Sequence, residues 1–282
     1  MKTRIIPSFV MALSISMFAD SVGGSVFYST DSDVDVFKVS TSAYVNLDRN
    51  IEVGASLTKG RISGFDSTRP ALLANIKNGD FVITADAGIE SHGNEFTTLV
   101  ETSYNQKNYI LGVFAQKDIV DSKLGMQDSV TFNAVGGSAE IMNDTVGIVG
   151  SAIKYDYDDA TIKNLINAKA YYSFLDGFNL FVSTQHYTTS KRSIYFFSPD
   201  SYDRNLLGIG TRQKFFDGVL FAQIATGTQK VNDYDSEKSD FFKIGYDKKI
   251  VNNLQFKSEY IYDKKQPDYA YRQTLVSLVY KF

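Results

Sequence analysis

The chain lacks cysteine and tryptophan, and it has only four prolines and two histidines in 282 residues. Without cysteine there can be no disulfide, no thiolate metal site and no cysteine nucleophile, and the composition suits an oxidising compartment. The net charge of -3 leaves no polybasic footprint for nucleic acid. Beyond the first residues no apolar run approaches the ~18 residues of a membrane-spanning helix. Rings, by contrast, are plentiful: 18 tyrosines and 21 phenylalanines, the residue types enriched in strands and in membrane-interface belts.

The N-terminus reads as a secretory signal. Lys2 and Arg4 precede an apolar stretch from Ile5 to Phe18, and the small Ala19 precedes Asp20. Residues 1–19 are therefore expected to be removed, with the large Met17 an unusual residue so close to the cut. Residues 20–282 are expected to form one exported domain.

That domain repeats a single pattern. "VFKVSTSAYVNL" (Val36 to Leu47) alternates, "DRN" turns the chain, and "IEVGASLTKGRI" (Ile51 to Ile62) alternates again. Period-2 runs bounded by Asn, Asp and Gly predict strands, and sixteen can be marked from Gly23 to Phe282. Gly23 to Ser29 and Ala71 to Lys77 carry the faintest alternation, and the run from Thr161 to Phe174 also admits a helix. Connections alternate in length: tight ones such as Asp48-Arg49-Asn50, Asn78-Gly79-Asp80 and Asp217-Gly218 take turns with longer ones such as Ser63 to Pro70, Val120 to Ser129 and Thr189 to Asn205. Short periplasmic turns, longer outer loops and an even strand number define transmembrane barrels. The expected fold is all-β, an antiparallel up-and-down barrel in the cell outer membrane, with the lipid bilayer as its first partner.

The two faces of each run differ. In the last, Arg272, Thr274, Val276, Leu278, Tyr280 and Phe282 share one side, and Gln273, Leu275, Ser277, Val279 and Lys281 lie on the other. Ionised groups facing lipid would cost roughly 2–4 kcal/mol at the midplane, so the charged side is expected to face water in the bore. That parity nominates Arg212, Lys214, Lys243, Asp247, Lys257 and Glu259 as lumen residues that could meet a polar solute. Tyr280 and Phe282 end the chain in mid-strand, as the closing strand's periplasmic girdle and as a signal for insertion.

Little points to catalysis, and no enzyme, cofactor or metal is expected. His186, in "STQHYTT" with Ser183 and Gln185 nearby, could serve a membrane hydrolase; a histidine in the wet lumen or at the interface is the plainer reading. His92, in "ESHGNE", reads as a solvated loop residue. Asp31, Asp33 and Asp35 in "DSDVD" could hold a divalent cation, or simply form a solvated turn.

One segment carries a resemblance. "IYFFSPDSYDRNLLGIG" (Ile194 to Gly210) closely resembles the aromatic-Phe-Ser-Pro-x-x-Tyr stretch in the C-terminal barrels of bacterial exopolysaccharide exporters, the group that exports cellulose and poly-N-acetylglucosamine. The matching residues are Phe196, Phe197, Ser198, Pro199 and Tyr202. "FYSTDSDVDVFKVSTSAYV" (Phe27 to Val45) resembles the first hairpin of the same barrels. The resemblance implies a cofactor-free outer-membrane passage for a carbohydrate polymer or oligosaccharide. Such barrels usually follow an array of periplasmic helical repeats, whereas only a signal segment is read before this one; the barrel could work with a separate periplasmic partner, or it could have left polymer export altogether. The rivals are a general diffusion porin with a constriction loop folded inward, a hydrolase using His186, and a plugged adhesion barrel.

Overall fold

A computed structural model describes residues 19–31, 34–266 and 269–282. The signal segment through Phe18 and the acidic-turn residue Asp33 lie outside the described residues. Sixteen strands follow one another: β1 (Ser21–Thr30), β2 (Asp35–Asp48), β3 (Ile51–Ile62), β4 (Phe65–Asn78), β5 (Phe81–Glu90), β6 (Glu95–Asn105), β7 (Tyr109–Ile119) and β8 (Thr131–Met142). The ring continues through β9 (Val146–Tyr157), β10 (Ile162–Leu175), β11 (Phe178–Thr189), β12 (Ser201–Phe215), β13 (Gly218–Val231), β14 (Glu237–Val251), β15 (Leu254–Gln266) and β16 (Tyr269–Lys281). Each pairs antiparallel with its sequence neighbours, and β1 closes on β16 from Ser21↔Lys281 to Thr30↔Arg272. Closure removes the open edges that hydrocarbon could not satisfy. The last residue is tied in as well: Phe282 N–H donates to Asp20 O at 2.9 Å.

Several boundaries differ from the sequence reading. β4 starts at Phe65, so the long loop expected over Ser63 to Pro70 is a tight turn at Ser63-Gly64. Pro70 lies inside that strand, although it has no N–H to give to a ladder. Its missing donor is tolerated because pairing of β4 with β5 stops at Ala71↔Gly88; contact resumes where Ser91 N–H donates to Thr68 O. β12 likewise starts at Ser201, inside the loop expected over Thr189 to Asn205, which moves Tyr202 into a strand. Residues 162–175 form a strand, the helical alternative losing to pairing on both sides. The turn assigned to Asp217-Gly218 sits one residue earlier, on Phe216 (φ 43°) and Asp217 (φ 59°). Gly218 is needed in the strand, since a Cβ there would come within 2.6 Å of the Tyr246 ring.

Periplasmic turns are uniformly tight, and both long connections, residues 120–130 and 190–200, lie at the outer end. The first carries helix α1 (Lys123–Gln127), capped by Ser122, whose Oγ accepts Gly125 N–H at 2.9 Å. Val120 N–H donates to Val130 O and Val130 N–H to Gly125 O, both at 2.9 Å, so the loop is a closed knot. It leans across the ring: Met126, fully buried, packs with Ile119 against Val36 and Ile62, and Phe27, Val34 and Phe65 pack on that cluster. Three strands, β4 to β6, separate β3 from β7 around the wall, so these contacts cross the mouth as a chord.

Candidate functional site: the bore and its outer mouth

Register fixes which side chains face lipid. Val26↔Val276 and Gly24↔Leu278 align the outward sets of β1 and β16, and the same parity runs round the ring. Exposed apolar residues such as Leu72, Val113, Ile148, Val182 and Ile224 mark the outward face. At the periplasmic end outward rings gather into a girdle: Phe81 and Tyr104 lie 4.6 Å apart between centroids, Tyr280 and Phe282 4.9 Å. A closed ring with an apolar exterior and an aromatic girdle is seated in the outer membrane.

The opposite face carries charge in unequal halves. From β3 to β8 the inward Glu52, Asp86, Glu101, Asp118 and Glu140 outnumber Arg69 and Lys77; from β10 to β15 the inward Lys163, Lys169, Arg212, Lys214, Lys249 and Lys257 outnumber Asp247, Glu259 and Asp263. Lys243 and Glu259 meet across β14 and β15 at 2.8 Å, half-buried in the wall. Asp247 accepts from Gln255 Nε2 at 2.9 Å. Arg212, Lys214 and Lys257 stand exposed near the periplasmic end, on the same side of the bore. The six nominated residues are thus one inward stripe on β12, β14 and β15, of which two pair with each other.

Parity also brings inward two ion pairs that the sequence reading passed over. Arg69 pairs with Asp86, with Arg69 Nη1 donating at 3.1 Å, and Arg69 Nε donates to Thr97 Oγ1 at 2.5 Å. Arg204 crosses from β12 to Asp263 on β15, its Nη1 donating at 3.2 Å and its Nε donating to Ser239 Oγ at 2.8 Å. Arg204 shares the parity of Arg212 and Lys214; it was missed because the strand was started at Leu206. Removing one partner of such a buried pair leaves the other charge uncompensated.

Inward aromatic rings lie flat on the wall. Tyr44 covers Gly54, Phe114 covers Gly136, Tyr171 covers Gly147, Phe181 covers Gly208 and Phe221 covers Gly245, each on the neighbouring strand. A Cβ at Gly54 would sit 2.8 Å from Tyr44 Cδ1, and one at Gly136 would sit 2.9 Å from Phe114 Cζ. Glycine therefore lets a large ring lie along the barrel without filling the bore. Lys169 Nζ rests 4.1 Å from the Phe181 ring centre, a cation–π contact.

The outer mouth is built differently. Phe196 stacks on Tyr157 at 4.0 Å between ring centres, and Tyr202 stacks on Tyr187 at 4.8 Å. Ser198 Oγ accepts Ser193 N–H at 2.6 Å, and Thr189 Oγ1 donates to Pro199 O at 2.6 Å. Phe196, Ser198, Pro199 and Tyr202 thus hold the loop against the wall, while Phe197 alone of the motif is exposed. Asp159 anchors the same loop, accepting from Ser193 Oγ at 2.6 Å and Thr161 N–H at 2.9 Å, with Lys191 donating to its carbonyl. Burial alone would raise the Asp159 carboxyl, but the bonds from Ser193 and Thr161 and the charge of Lys191 outweigh it and hold it below its ordinary value. Tyr195 is pushed up, by burial first and then by the Asp128 carboxylate beside it.

The histidines have structural partners. His92, read from sequence as solvated, donates from Nε2 to Met126 O at 2.5 Å and sets its ring edge-on to Phe65 at 5.0 Å; it docks the inward loop. His186 points outward from β11, with Nδ1 2.7 Å from Asp203 Oδ1. Ser183 has the opposite parity and faces inward, so the Ser183–His186 pairing of the hydrolase reading does not form. Asp31 accepts Val34 N–H at 2.9 Å and closes the first outer turn.

No family model matches the chain, and no curated protein matches it in sequence. Solved structures do match in fold. A protein described as a bacterial polysaccharide outer membrane secretin aligns with a TM-score of 0.78 at 10% identity, over 94% of this chain and 99% of that one. A loop-deletion variant of OmpT, an outer membrane protein of Vibrio cholerae, aligns at 0.51 and 9% identity, over 93% and 100% of the two chains. At these identities the likeness is one of fold: a closed sixteen-stranded outer-membrane barrel.

Proposed function

We propose that the chain is an outer-membrane channel through which a carbohydrate polymer or oligosaccharide passes. The observation that carries this reading is the set of inward rings laid flat on glycines beside inward lysines and arginines. Of these rings Tyr44, Phe114, Tyr171 and Phe221, which are not buried, offer faces to the apolar faces of pyranoses, and the charged stripe of Arg212, Lys214, Lys243, Asp247, Lys257 and Glu259 offers hydrogen bonds to hydroxyls. The fold likeness to a polysaccharide outer membrane secretin supports the same cargo. Passage would be passive, driven by synthesis or a gradient behind the chain, with the exposed periplasmic cations as the side offered to a separate partner. Tyr280 and Phe282 would serve as the insertion signal.

A second reading, the general diffusion porin, draws on the loop bearing α1, which leans inward as a porin's constriction loop does. Planar-bilayer recordings separate the two. On the carbohydrate reading, oligosaccharides added to the periplasmic side block the current, and Lys249→Glu with Lys257→Glu shifts selectivity toward cations. A current indifferent to every oligosaccharide, with liposomes freely permeable to small solutes, would establish the porin instead.

A further inference from the structure

Between the two outer loops formed by residues 190–200 and 232–236 lies a cavity of about 450 Å³, within the size range of small-ligand sites. It is bordered by Phe197 and Tyr234, which are 52% and 71% exposed, by Asp235 and Glu237, and by Gln229 from the wall below. Gln229 is the unusual member. It is 2% exposed, its Oε1 accepts from Tyr202 OH at 3.2 Å, and its Nε2 is buried with no hydrogen-bond partner. Turning the amide over would leave the other end unpaired instead. An unpaired buried amide costs free energy unless something meets it, and because Gln229 lines this cavity, a turn of its side chain would bring the amide to the cavity.

We infer that the cavity is a saccharide site that takes one pyranose unit of a neutral or amine-bearing glycan. The inference rests on the carbohydrate reading above and adds to it a location and a charge class. Two exposed rings supply stacking faces, two carboxylates accept hydrogen bonds from hydroxyl or ammonium groups, and the Gln229 amide donates to a ring substituent. Charge decides the class. Arg192, the cation at the cavity, faces Asp200 at 3.8 Å, whereas Asp235 and Glu237 have no cationic partner among the described residues. A uronate polymer would meet like charge here, which selects against it.

The absence of tryptophan makes the test direct. Phe197→Trp places a single indole at the cavity of the folded barrel in micelles or nanodiscs. Saturable emission changes are expected with a neutral gluco-oligosaccharide and with a glucosamine oligomer. With a uronate oligomer binding is expected to be about tenfold weaker or absent, the scale of one hydrogen bond to a charged group. Gln229→Leu in that background weakens the neutral ligand. Should that buried change prevent folding, as read by heat-modifiable migration, Asp235→Lys with Glu237→Lys replaces it and reverses the preference toward uronate. No saturable change with any saccharide, or equal binding of all three before and after the charge swap, overturns the site. Current block recorded on the same preparation separates the two claims. Block with a silent indole removes this site and leaves passage standing; an indole response without block keeps the site and removes passage.

Discussion

The two mouths of this barrel are made of different material. At the outer end lie the largest fully buried side chains, Tyr202, Met126, Gln229, Thr97, Thr161 and Ser239, together with the Arg204–Asp263 pair and the α1 loop braced by His92 and by the Lys38–Asp121 ion pair. At the periplasmic end the turns are two or three residues long, and Arg212, Lys214, Lys249 and Lys257 stand exposed around an unobstructed wall. A barrel this wide cannot fill its own middle with side chains, so its packing collects where loops can fold back over the rim. The fold is therefore most easily damaged at the outer end, and charge in the bore is most easily changed without damage at the periplasmic end.

The sharpest way to break this contrast is one substitution at each end. Arg204→Leu takes the guanidinium away from the buried Asp263 carboxylate and is expected to cost about 3–5 kcal/mol, read as a lower urea midpoint in vesicles. Lys257→Leu, in the exposed periplasmic stripe, is expected to stay within about 0.5 kcal/mol of the parent. Equal losses at the two ends would remove the distinction. A smaller effect is expected from Met126→Ala, which empties the cluster holding the α1 loop and loosens that loop by about 2–5 kcal/mol, without unfolding the ring. Single-channel recordings then show larger and more variable conductance; an unchanged trace would mean that the loop does not obstruct the mouth.

The smallest effect is a pH dependence at Asp159. Its folded value is held below the ordinary carboxylate value, so its contribution is fully present above the unfolded pKa of about 3.9. That contribution is lost as pH falls through the lower, folded value. Hydrogen exchange over residues 190–200 should therefore be protected at neutral pH and loosen only in strong acid, after correction for the intrinsic rate. Asp159→Asn should remove that acid step; an acid step that persists in the variant assigns it elsewhere.

Much of this architecture was legible in the chain because a strand in a membrane obeys two constraints at once, lipid on one side and water on the other. Leu278, Tyr280 and Phe282 against Ser277 and Lys281 state the faces without help from any partner strand. Parity likewise placed Lys243 and Glu259 on one side, although only the register shows that they meet. What misled was punctuation. Pro70 and the polar stretch from Ser201 to Asn205 looked like loop, yet β4 and β12 include them because pairing with the adjoining strands outweighs a weak local preference. His92 was read as solvated because nothing in "ESHGNE" announces a backbone carbonyl arriving from residue 126.

Alternation and turn residues were enough, read along the chain alone, for a membrane barrel of sixteen strands with a charged bore and an apolar belt. Folding in three dimensions was needed to carry a helix-bearing loop across the outer mouth, to bring Arg204 to Asp263 three strands away, and to leave Gln229 with an unpaired amide near two exposed rings. The physical reason is range. A strand's facing is fixed every second residue by its immediate solvent, whereas these contacts join residues that become neighbours only once the ring has closed.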